Sequence, residues 1–102
     1  MQNATLPRLT NAERQILEQL QTQELFGLQL SETGTVKRGT VYVTLARMEK
    51  KGYVASRQEP LSDRAIGLPR RWYRMTTFGG RVLDAWRAAE TVFDQSARAG
   101  AA

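Results

Sequence analysis

Lys37-Arg38-Gly39-Thr40-Val41-Tyr42-Val43-Thr44-Leu45-Ala46-Arg47-Met48-Glu49-Lys50-Lys51-Gly52 is the stretch that decides how this chain of 102 residues folds. Val41, Leu45 and Met48 recur at i, i+4 and i+7, the spacing of one apolar stripe on a helix. Gly52 stops that helix, because glycine accepts the left-handed conformation a C-cap needs. Opposite the stripe lie Gly39, Thr40, Val43, Arg47 and Lys50, which are compact, hydroxylated or cationic. A helix of this kind suits insertion into a DNA groove. An ordinary surface helix carries the same pattern, so the flanking sequence has to separate the two.

Upstream, Thr10-Asn11-Ala12-Glu13 fits a capping box and predicts a helix to about Gln23, with Leu9, Ala12, Ile16 and Leu20 on one side. Residues 1–8 show no periodicity and are expected to form a flexible arm. Leu25 to Leu30 is a short apolar segment that predicts a second helix from Gly27 to about Thr33, closed by Gly34. Thr35-Val36 is then the turn into the third helix, and the order is that of a helix-turn-helix. Downstream, Tyr53 to Glu59 reads as a strand ended by Pro60, and Leu61 to Pro69 as a turn-rich tip. Arg70 to Thr76 alternates, with Tyr73 and Met75 on one face and Trp72 and Arg74 on the other.

The expected fold class is therefore α+β and mostly helical: a winged helix-turn-helix with a two-stranded β wing over residues 9–76. Thr76 or Thr77 caps a last helix, expected over 77–96 with a frayed tail at 97–102. Phe78, Val82, Trp86, Ala89 and Phe93 follow one another on it at spacings of four, four, three and four, close to a heptad seam. These five residues are the candidate dimer interface, since twenty helical residues reach about 30 Å and outrun a small domain.

Composition narrows the function. The chain has no cysteine and no histidine, which removes thiolate sites, the usual neutral-pH proton shuttle and the commonest zinc ligand. No phosphate-binding glycine loop is present, and Asp84 and Glu90 fall on different helix faces, so neither an enzyme nor a cofactor is expected. No apolar run approaches the length of a membrane-spanning helix, and a cytoplasmic protein is expected. The net charge of +5 is unevenly placed. Residues 1–34 carry two Arg against four Glu, residues 35–76 ten Lys and Arg against three acids, and residues 77–102 three of each sign.

All the excess positive charge thus falls on the third helix and the wing, and it points to a polyanion. Candidate DNA contacts on the helix are Lys37, Arg38, Thr40, Tyr42, Val43, Arg47 and Lys50; those on the wing are Arg64, Arg70 and Arg71. Thr40 and Val43 suit base edges, a hydroxyl for hydrogen bonding and an apolar group for a thymine methyl. Arg47 and Lys50 suit phosphates, and a wing arginine suits a narrow minor groove. Two other readings compete. One is a winged protein-interaction module that binds an acidic partner through Trp72, Trp86 and Phe93; the other is a sequence-independent DNA-packaging protein.

Four blocks resemble the PadR-like winged-helix transcriptional regulators, of the short type with a single C-terminal helix. They are Leu25–Leu30, Gly39-Thr40-Val41-Tyr42, Leu45–Val54 and Arg70–Gly79, in that order across roughly residues 9–90. The resemblance implies a homodimer on a pseudo-palindromic double-stranded DNA operator, usually acting as a repressor. It also implies that some relatives release DNA on binding a small planar aromatic or drug-like effector, for which no residue of this chain is assigned. The chain departs from the family pattern at Val43, where a proline is frequent, and at Gly67-Leu68-Pro69 in place of an all-polar wing tip.

Overall fold

The computed structural model describes residues 6–34, 36–60 and 70–100, with side chains to residue 95. The elements run α1 (Asn11–Gln19), β1 (Leu25–Phe26), α2 (Gly27–Thr33), α3 (Arg38–Lys51), β2 (Val54–Gln58), β3 (Arg71–Met75) and α4 (Thr77–Gly100). Thr10 caps α1 through the expected reciprocal pair: its hydroxyl accepts from the Glu13 amide, and its own amide donates to Glu13 Oε1. The helix stops at Gln19 rather than Gln23. Leu20 closes it and enters the core, whereas Gln21, Thr22 and Gln23 have nothing apolar to bury.

The third helix forms as its stripe requires. Val41, Leu45 and Met48 are fully buried, and Gly52 ends α3 at φ 84°, in the left-handed region. The Tyr53 amide then donates to the Met48 carbonyl, turning the chain directly into β2. The wing differs from expectation by one strand. Leu25 and Phe26 pair with Tyr73 and Trp72, giving an antiparallel sheet of order β1-β3-β2. Leu25 belongs to the core cluster, while Phe26 meets Trp72 edge-on at 5.1 Å.

Thr76 alone joins β3 to α4. Its hydroxyl accepts from the Gly79 amide and donates to the carbonyl oxygens of Gly52 and Tyr53, so one side chain caps α4 and binds it to the end of α3. Val82 and Leu83 complete the core formed by Ile16, Leu17, Leu30, Leu45 and Met48. Arg14 pairs with Glu90, and Arg87 with Glu18, bracing α4 along α1. The helix continues to Gly100, past the expected boundary at 96, and is about 36 Å long. The segment before α1 is also less free than a flexible arm: Trp86 Nε1 donates to the Pro7 carbonyl at 2.8 Å and Tyr53 Oη to the Arg8 carbonyl at 2.7 Å. Residues 1–5 lie outside the described residues.

Candidate nucleic-acid interface

The packing of α3 divides its residues cleanly. With the stripe turned inward, Lys37, Arg38, Thr40, Tyr42, Val43, Arg47 and Lys50 are all exposed, Val43 at 59%. Gly39 is open as well, since a Cβ built there meets nothing within 4 Å. On the wing, Arg70 and Arg71 are exposed at the start of β3. Arg64, expected at the wing tip, lies outside the described residues.

The distribution of ion pairs marks this surface out. The acids of α1 neutralise Arg14, Arg87 and Lys51, and Glu24 takes Arg57 in a two-toothed contact at 3.0 and 3.1 Å. The Arg57 guanidinium holds the Glu24 carboxyl below its ordinary range, with the positive charges of Arg57 and Arg74 adding to the effect against some desolvation. Among the described residues, none of the ion pairs uses Lys37, Arg38, Arg47, Lys50, Arg70 or Arg71. Six cations on two elements therefore keep their charge available to an outside anion.

A cleft of about 440 Å³ lies between the start of α3 and the wing, lined by Phe26, Gly27, Leu28, Arg38, Tyr42, Arg70, Arg71 and Tyr73. Its apolar floor suits a sugar, and its three guanidinium groups and the phenols of Tyr42 and Tyr73 suit a phosphate. Two details set its shape. Gly27 lets the Tyr42 ring sit against the backbone of α2, because a Cβ there would come within 2.5 Å of Tyr42 Cε1. The Arg70 guanidinium stacks 4.7 Å from the Phe26 ring centre, which fixes its position without neutralising it. Arg71 is oriented by neutral partners, Ser56 Oγ at 3.0 Å and Gln58 Oε1 at 3.4 Å. Ser56 in turn donates to Glu49 of α3 at 2.6 Å, so wing and helix are linked across the sheet.

A model of the transcriptional regulator PadR-like family matches residues 16–85, from the second half of α1 to the buried part of α4. The chain belongs to that family. Solved structures similar to this PadR-like protein include a regulator from Eggerthella lenta DSM 2243, at 26% identity and a TM-score of 0.69, covering 82% of this chain and 75% of that one. A second, from Clostridium difficile R20291, has 24% identity and a TM-score of 0.66, over 84% of this chain and 97% of that one. The third is Bacillus subtilis PadR in complex with operator DNA, at 21% identity and a TM-score of 0.63, over 72% of this chain and 44% of that one. No curated protein sequence matches the chain.

The expected dimer seam does not hold together as one surface. Val82 is 2% exposed and belongs to the core of its own domain, so it has nothing to offer a second chain. Trp86 packs against that same core and spends its indole N–H on Pro7. Phe78 leans on the Tyr53 ring at 5.6 Å. Ala89 is half-buried, and Phe93 stands 74% exposed beside Val92 at 60%. The same burial weakens the protein-interaction reading, because Trp72 is covered by Phe26 and the Arg57 guanidinium, leaving Phe93 alone of its three anchors.

Proposed function

We propose that this PadR-like protein is a sequence-specific double-stranded DNA-binding repressor of transcription, working as a homodimer on a pseudo-palindromic operator. The observation that carries this reading is the set of six cations that, among the described residues, have no ion-pair partner and accompany exposed Thr40 and Val43 on α3. Each subunit lays α3 in a major groove, with Gly39, Thr40 and Val43 toward the base edges. The cleft shared by Arg38, Arg70 and Arg71 takes one backbone strand. That Bacillus subtilis PadR, a protein of the same fold, binds operator DNA supports a DNA partner. Two subunits then address half-sites about 34–36 Å apart.

Selection of binding sites from random duplex DNA tests the reading. A palindromic motif is the expected result; salt-sensitive binding without a motif would instead favour packaging, and no binding would favour a protein partner. On the selected duplex, Arg71→Ala is expected to weaken binding to all variants of the site alike. It should also flatten the dependence of log K on log salt by about one unit. A slope equal to that of the parent protein would remove Arg71 from the phosphate contacts.

The dimer is proposed to form through the outer turns of α4, where Val92 and Phe93 project beyond the braces at Arg87 and Glu90. Phe93→Asp is expected to give a monomer in sedimentation at micromolar concentration while leaving the thermal unfolding of the domain in place. A dimer that survives this change would put the interface elsewhere on the protein.

A further inference from the structure

The C-terminal half of α3 borders a second cationic cleft, of about 340 Å³, lined by Arg8, Thr10, Arg47 and Lys51. Its members do not have equal roles. Lys51 Nζ donates to Glu13 Oε2 at 2.7 Å, so its charge is matched within the fold. Thr10 closes the cap of α1. Arg8 and Arg47 are exposed, and among the described residues neither has an acidic partner. Arg8 is nonetheless held in place, because the carbonyls of Pro7 and Arg8 are both tied down, by Trp86 and Tyr53. Two guanidinium groups thus line one cleft without, among the described residues, an acid paired to either, an arrangement that an anion would stabilise.

Helix geometry relates this cleft to the first. Arg38 and Arg47 are nine residues apart, which is about 13.5 Å along the axis and about 180° around it. The major groove is about 12 Å wide, with one backbone on each side. When α3 lies in the groove with Gly39 and Val43 toward the bases, Arg38 flanks one strand and Arg47 the other. We propose that Arg8 and Arg47, with the hydroxyl of Thr10, form a second phosphate site that holds the strand opposite the wing, making residues 6–10 part of the DNA-binding surface. This site rests on the DNA-binding reading above.

The test uses the full chain and a duplex selected by the parent protein. Arg8→Gln is expected to bind about fivefold more weakly at 0.15 M salt and to lower the salt slope by about 0.9, the effect of one lost phosphate contact. Arg8→Lys should restore most of the slope. Phosphate-ethylation interference gives an independent readout: with Arg8→Gln, interference should weaken at phosphates on the strand edge away from the wing, where Arg47 remains, and stay unchanged on the wing side. An unchanged slope, or an unchanged interference pattern, with the parent protein binding normally would overturn the second site alone. A parent protein that selects no DNA would overturn both this site and the reading beneath it.

Discussion

Replacing Lys51 with methionine is expected to destabilise the protein by about 3 kcal/mol at pH 7, and by progressively less as the pH is lowered toward 5. The cause is Glu13, a fully buried carboxylate whose oxygens accept from Lys51 Nζ and the Thr10 amide. Burial alone pushes this carboxyl up, but the Lys51 ammonium and the Thr10 hydrogen bonds together outweigh it and hold it below the ordinary carboxylate range. In the parent protein its contribution is therefore complete above the unfolded carboxylate range and lost as pH falls through the lower folded value. Without Lys51 the sign reverses. The carboxyl is then expected to titrate above its unfolded value, because burial is no longer opposed by the ammonium, so the variant should regain stability as pH falls and the proton neutralises a stranded charge. Urea unfolding of both proteins at several pH values measures the difference, and a loss that does not vary with pH would contradict the account. Glu13→Gln combined with Lys51→Met should recover much of the stability, since a pair removed together leaves no buried charge.

Gly79→Ala is expected to cost about 3 kcal/mol, the upper end of what overpacking usually costs. A Cβ at this position would lie 2.1 Å from the Tyr53 carbonyl oxygen and 2.9 Å from its carbon. Both belong to backbone that cannot rotate away, and that oxygen already accepts from the Thr76 amide and hydroxyl. The first turn of α4 would have to lift off the end of α3. Gly39→Ala makes the contrast within the same chain. It meets no neighbour, and the helix preference for alanine should make it neutral or stabilising by up to about 1 kcal/mol. Urea midpoints for the two variants measured side by side should move in opposite directions or differ widely; similar shifts would show that close approach at Gly79 does not matter.

The parts of the fold that were legible in the sequence are those whose signal is local. The stripe at Val41, Leu45 and Met48, the box at Thr10 and Glu13, and the stop at Gly52 each involve residues within a few positions of one another. Strand β1 has only two residues, too few to show alternation, and it is a strand because of Trp72 and Tyr73 far along the chain. Lys51 looks like one more surface cation until Glu13, in another helix, is folded beneath it. The seam on α4 illustrates a different limit. Spacing at Val82 and Trp86 reports that a stripe is buried without saying which chain buries it, and here their own domain does. Arg8 lay in a segment without periodicity, and only the carbonyl contacts of Tyr53 and Trp86 bring it beside Arg47.

The junction at Thr76 has a mechanical meaning. With one residue between β3 and α4, and Gly79 seated on the Tyr53 carbonyl, α4 is fastened directly to the end of α3, and the two helices are expected to move together. In the proposed dimer α4 is then a lever about 36 Å long with α3 at its far end. A change of about 10° in the angle at which two such levers cross would carry each reading helix about 6 Å, nearly two steps of the DNA ladder at 3.4 Å each. Operator spacing would be set at the crossing of the levers, far from the bases that α3 is proposed to meet.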